Sequence, residues 1–152
     1  MQPLENVTAE PTIVPAPIPA TAPITPKLHT DTTVTKLDLW CKAAIMMEGA
    51  NPANHNPGNV RYAPNTWMEK IAIGQNHGFC IFPTYAVGYN VLRQIFINAA
   101  TGKSKIYHPN DTLYQFYSKY APNSDGNDSK HYAEVVASVI GVSPNTMIKT
   151  LV

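Results

Sequence analysis

Proline placement divides this chain before any other pattern does. Seven of its 14 prolines lie in the first 26 residues: Pro3, Pro11, Pro15, Pro17, Pro19, Pro23 and Pro26. Proline fixes φ and lacks a backbone N–H, so a stretch this rich in it forms neither a helix interior nor a central strand. The segment Val14 to Ala20 alternates proline with small or aliphatic residues, a composition that favours extended polyproline II. No aromatic residue stands before Trp40 to fill a core. Residues 1–32 are therefore expected to be an extended linker or docking segment, and the folded domain is confined to residues 33–152.

Within that domain the later prolines and the glycines punctuate periodic runs. Thr35 and Asp38 have capping-box spacing, and the helix they open runs from Leu37 to about Met47–Glu48, where Gly49 stops it. Residues 50–59 are turn chemistry throughout, with Pro52, Pro57, Gly58 and four asparagines. Lys70–Ile73 and Gly78–Phe82 read as two short strands around a turn at Gly74–His77. Pro83 ends the hairpin, and Thr84 caps a helix from Tyr85 to Ala100 with Val87, Val91, Ile95 and Phe96 on one stripe. Asp111 is the expected cap of a helix from Thr112 to Tyr120, and a fourth helix spans Ser129 to Ile140 before Gly141. Ser143–Pro144 then reads as the start of a short last helix. The sum is a mainly helical α+β domain with one small hairpin.

Charge and residue usage exclude several functions. A formal net charge of +1 and a pI near 7.8 leave no basic footprint for nucleic acid. No apolar run reaches the length of a transmembrane helix, and the N-terminus lacks the pattern of a Sec signal peptide, so no membrane insertion is expected. Cys41 and Cys80 are too few for a disulfide scaffold, leaving a single bridge open, and both fall on apolar patterns where core cysteines are inert. His77 and Cys80 have ligand-like spacing but no second pair, and the Asp125–Asp128 loop lacks the order of a calcium-binding hand. No glycine-rich phosphate turn joins a strand to a helix. No metal or cofactor is expected.

One carboxylate remains out of place. On a 3.6-residue period Glu48 shares a face with Leu37, Cys41, Ala44 and Ile45, the stripe that turns inward. Burial disfavours its ionised form, and the negative end of the helix dipole acts in the same direction. A carboxyl that keeps its proton near neutral pH is what a general acid requires. The same residue at a helix end also serves simply as a solvated terminus. The asparagine-rich loop starts two residues later, and asparagine offers both a donor and an acceptor to sugar hydroxyls and N-acetyl groups.

Four strings in order carry a resemblance: Ala-Ile-Met-Met-Glu-Gly at 44–49, Asn-Pro-Gly-Asn-Val-Arg at 56–61, the run from Gly78 to Tyr89, and the run from Tyr120 to Tyr132. Together they resemble phage and prophage virion proteins of the lysozyme-like superfamily, which are similar to lytic transglycosylases. The resemblance spans about residues 37–142. It departs from the transglycosylase pattern at Gly49, where a serine often stands, and at Asn56–Asn59, which replaces a Gly-Leu-Met-Gln string. It implies a lysozyme-like fold, peptidoglycan as substrate, and Glu48 as the catalytic acid acting on the β-1,4 bond between N-acetylmuramic acid and N-acetylglucosamine. It also implies a place in a phage particle or tail, with the proline-rich segment contacting other virion proteins; a non-catalytic tail protein of the same fold is the alternative. Candidate substrate-binding residues are Asn56 and Asn59 in the loop, Arg61 toward a substrate carboxylate or a structural ion pair, Glu69 as the credible second carboxylate, and Tyr85 and Tyr120 in the later strings. Gly58 is expected at a positive φ.

Overall fold

The computed structural model describes residues 33–152. The expected proline-rich linker, residues 1–32, lies outside the described residues. Four helices, α1 (Lys36–Glu48), α2 (Tyr85–Ala100), α3 (Leu113–Tyr120) and α4 (Ser129–Ile140), accompany one hairpin of β1 (Gly74–Asn76) and β2 (Phe79–Ile81). The domain is thus α+β and mainly helical. Short 3-10 turns at Pro52–Asn54, Asn123–Asp125 and Ile148–Leu151 complete the elements among the described residues.

α1 forms because Thr35 and Asp38 close the expected capping box and Gly49 takes the left-handed conformation at φ 53°. Its buried face, Leu37, Trp40, Cys41, Ala43 and Ala44, packs against α4 and α2. Trp40 is the centre of this core. Its indole stacks on Phe96 of α2 with centroids 4.2 Å apart and meets Phe116 of α3 edge-on at 5.1 Å. The indole N–H donates to the Tyr117 hydroxyl at 2.9 Å, so the one polar atom of a buried ring is paired. Small residues beside it, Ala43 and Ala44 on α1 and Ala133 and Ala137 on α4, let these two helices approach.

Several boundaries differ from the sequence expectation, each for a local reason. The hairpin turn is His77–Gly78, not Gly74–His77: both residues have positive φ, 49° and 81°, and a two-residue turn of that hand fits the strand twist. Lys70–Ala72 is accordingly a turn, and only Ile73 extends the pairing, donating to the Ile81 carbonyl at 2.9 Å. Thr112, not Asp111, caps α3, in a capping box with Gln115. Asp111 is taken by Lys119 at 2.6 Å and by the His108 N–H. Burial pushes the Asp111 carboxyl up, but these donors prevail and hold it below its usual value. No α-helix opens at Pro144: the chain turns, and Met147 bridges Thr112, with Leu113 N–H on the Thr146 carbonyl and Ile148 N–H on that of Asp111, before the 3-10 turn Ile148–Leu151. Cys41 and Cys80 are both free and buried, so the open bridge is not formed, and burial pushes the Cys41 thiol up to about 11.

Candidate functional site

The C-terminal end of α1 delivers Glu48 to a junction between α4 and the loop of residues 49–62. The loop's shape comes from one side chain. Asn56 is 2% exposed and spends all its polar capacity on backbone: Nδ2 donates to the carbonyls of Val60 (3.0 Å) and Cys80 (2.9 Å), and Oδ1 accepts from the Val60 N–H (2.9 Å). This buckles residues 56–60 into a tight turn and lays residues 60–62 alongside β2, with Cys80 N–H on Val60 and Tyr62 N–H on Gly78. Asn56 thus shapes the loop beside Glu48 through the backbone, and it also lines the pocket that Tyr85 borders.

The left-handed residue in this turn is Asn59, at φ 46°, and not Gly58. Asparagine tolerates that conformation through its short polar side chain. Gly58 is required for a different reason: a Cβ there would lie 2.7 Å from a Leu92 methyl of α2. The Asn59 amide donates to the main-chain carbonyl of Glu48 at 3.0 Å, closing an orphan acceptor at the helix end.

Glu48 itself is partly exposed, and burial raises its carboxyl above the usual value. Opposing that shift, in order, are the Tyr132 hydroxyl, the Asn59 amide and the Arg61 charge. Tyr132 of α4 is the decisive neighbour. Its hydroxyl lies 2.7 Å from Glu48 Oε1 and 3.2 Å from the Ala44 carbonyl. One hydroxyl proton faces two acceptors when Glu48 is ionised. When Glu48 is protonated, it donates to Tyr132, which donates in turn to Ala44, and both contacts are satisfied. Tyr132 therefore has a hydrogen bond to offer either form of the carboxyl, with its donation favouring the ionised one against the pull of burial. Burial also raises Tyr117, Tyr120 and Tyr132 beyond ordinary titration, so they remain neutral donors.

The other candidates are distributed around this centre. Arg61 pairs with Asp125 at 2.8 Å, lies over the Phe79 ring at 5.3 Å, and keeps its side chain 62% exposed. The ion pair ties the loop to the 3-10 turn after α3. Tyr120 is a strut, its hydroxyl donating to the Gly58 carbonyl at 2.8 Å. Glu69 is engaged by the Tyr62 hydroxyl at 3.0 Å and by the Asn65 N–H, so the structure brings it no contact with Glu48. Tyr85 stands at the start of α2, exposed, beside a shallow pocket of about 280 Å³ that begins at Gly49. A second pocket of about 260 Å³ lies between Trp67 and α2, and Glu48 lines neither.

Sequence reasoning missed Tyr132 as a partner of Glu48, 84 positions away. Its only signal is a hydroxyl on an otherwise aliphatic helix face. It missed His55 as well, a non-glycine residue at φ 49°. Among the described residues no group of three His, Cys, Asp or Glu side chains is placed to hold a metal ion, and no helix is long and apolar enough to cross a membrane. No family model matches the chain, and no curated protein or solved structure matches it either.

Proposed function

We propose that this domain is lysozyme-like and cleaves the glycan strands of peptidoglycan, with Glu48 as its single general acid and base. The observation that supports the reading is the half-buried Glu48 carboxyl, raised by desolvation and set against a Tyr132 hydroxyl that donates to its ionised form at 2.7 Å. In the first step Glu48 protonates the oxygen of the β-1,4 bond between N-acetylmuramic acid and N-acetylglucosamine as the C1–O bond breaks. The ionised Glu48, now accepting from Tyr132, removes the proton of the muramoyl 6-hydroxyl. That oxygen bonds to C1, closing a 1,6-anhydro ring and restoring neutral Glu48. No water is consumed and one carboxylate suffices, whereas hydrolysis ordinarily uses two. The engagement of Glu69 by Tyr62 and Asn65 favours the one-carboxylate route. A virion or tail location rests on the sequence resemblance, with the proline-rich segment as the tether to other virion proteins.

The test is incubation with purified sacculi and mass spectrometry of the released muropeptides. Wild type should release anhydro-muropeptides, and Glu48→Gln should lower the rate at least ~100-fold while remaining folded. Undiminished release by the variant would make Glu48 a structural residue. A non-catalytic virion protein of the same fold is the second reading, favoured by the absence of Glu48 from both pocket walls. Sacculi left intact by wild type would decide for it.

A further inference from the structure

The connection from α2 to α3 carries charge of one sign. Residues 70–110 include Lys70, Arg93, Lys103 and Lys105 but no aspartate or glutamate. Two of these lysines lie in the loop of residues 101–110, and Lys149 is pinned at its foot. The Lys149 N–H donates to the Pro109 carbonyl at 3.0 Å, and its ammonium donates to Asn110 Oδ1 at 2.8 Å. The first acid after the loop, Asp111, is already taken by Lys119 at 2.6 Å. Lys103, Lys105 and Lys149 form no ion pair among the described residues.

The loop is ordered by its own contacts. Gly102 and Pro109 meet at its base, where a Cβ on Gly102 would lie 3.4 Å from the proline ring. The N–H groups of Lys103 and Ser104 both donate to the Asn98 carbonyl, at 2.9 and 3.1 Å, which ties the loop to the last turn of α2. The Ser104 hydroxyl accepts from the Ile106 and Tyr107 N–H groups, each at 3.1 Å. Tyr107 turns inward, its ring centroid 4.6 Å from that of Phe116. Ile106 is left outside, 67% exposed, with Lys105 beside it and Lys103 across the serine turn. Compact surface loops whose ends touch in this way are frequently functional.

An exposed isoleucine alone decides nothing. Its place among three lysines that lack an acidic partner does. Ammonium groups by themselves suit any polyanion. A bilayer with anionic headgroups uses both kinds of side chain, because phosphates meet the lysines and the acyl boundary takes the isoleucine.

We infer that this loop docks on an anionic lipid bilayer, lying on its surface without spanning it. Lys103, Lys105 and Lys149 meet lipid phosphates, and Ile106 enters the headgroup region. Each lysine near such a surface strengthens binding about fivefold, so three give about a hundredfold, and the isoleucine adds several-fold more. The product is a partition coefficient on the order of 10³ M⁻¹, which suits reversible contact and falls short of stable anchoring. This inference does not depend on the glycan-cleaving reading.

The test is sedimentation of the full chain with vesicles at millimolar lipid, either phosphatidylcholine alone or with about one-third phosphatidylglycerol. Wild type should sediment with the anionic vesicles, and raising salt from about 0.1 M to about 1 M should release it. Lys103→Gln combined with Lys105→Gln should weaken binding about 25-fold, and Ile106→Ser several-fold, with Tm unchanged in both. Lys70→Gln, in the same acid-free stretch but outside the loop, should bind as wild type does. Equal sedimentation with the two vesicle types, none included, overturns the inference, as does anionic binding that survives the double lysine substitution. Should Ile106→Ser leave vesicle binding unchanged while soluble polyphosphate is bound as tightly as lipid, the loop is a polyanion site and the bilayer is not its partner.

Discussion

Replacing Asn56 by alanine separates a scaffold role from a sugar-binding role. The side chain makes three hydrogen bonds, all to main chain and all buried. Not all three partners are orphaned by its loss. The Val60 carbonyl keeps the Cys80 N–H, 2.9 Å away. The Val60 N–H and the Cys80 carbonyl are stripped of this partner, and each buried polar group so exposed costs about 1–3 kcal/mol. The total is about 2–6 kcal/mol, a large fraction of the roughly 5–15 kcal/mol that holds a domain folded. Urea unfolding followed by the fluorescence of buried Trp40 measures it, and a fall in Tm of about 10 °C or more should accompany it. Asn59→Gly is the comparison, since it keeps the left-handed backbone and removes one partly exposed bond, worth about 0.5–1.5 kcal/mol. Should Asn56→Ala unfold within about 0.5 kcal/mol of wild type yet lose glycan binding, the loop is not organised by Asn56 and the reasoning fails.

Three further outcomes are expected. Tyr132→Phe removes a hydroxyl that favours the ionised carboxyl, so Glu48 should titrate at higher pH in carbon-13 NMR; an unchanged or lower midpoint would show that the 2.7 Å contact does not tune it. Because the folded pKa of Glu48 lies above its unfolded value near 4.5, its contribution to stability is fully present below that pH and lost as pH rises through the folded pKa. Glu48→Gln, uncharged throughout, should therefore gain stability relative to wild type as pH rises from 4.5 through the folded pKa of Glu48, and a pH-independent Tm difference would refute burial as the cause. Gly88→Ala places a methyl 1.9 Å from the His55 carbonyl and should cost at least about 1–3 kcal/mol; a variant as stable as wild type would mean that the loop yields.

What the sequence by itself determined is local. The capping box of α1, its glycine stop, the whole of α2 and the span of α4 follow from side chains reaching backbone within three or four residues and from a single apolar stripe per helix. Glu48 was legible as an inward carboxyl for the same reason: helical period alone places it. The choices that failed are those between two residues of equal local merit. Asp111 and Thr112 both suit a cap, and only Lys119 in the last turn of α3, which takes Asp111, and the bridge of Thr112 to Met147 decide for Thr112. Gly58 and Asn59 both suit a positive φ, and only the Leu92 side chain of α2 explains why the glycine is needed at the residue that is not left-handed. Tyr132 beside Glu48, His55 on Phe82 and Asn56 on Cys80 are contacts across 84, 27 and 24 positions. No periodicity carries information over such separations. The packing of α4 against α1, and of β2 against the loop that follows α1, sets them, and with them the surroundings of the one carboxyl on which the proposed chemistry depends.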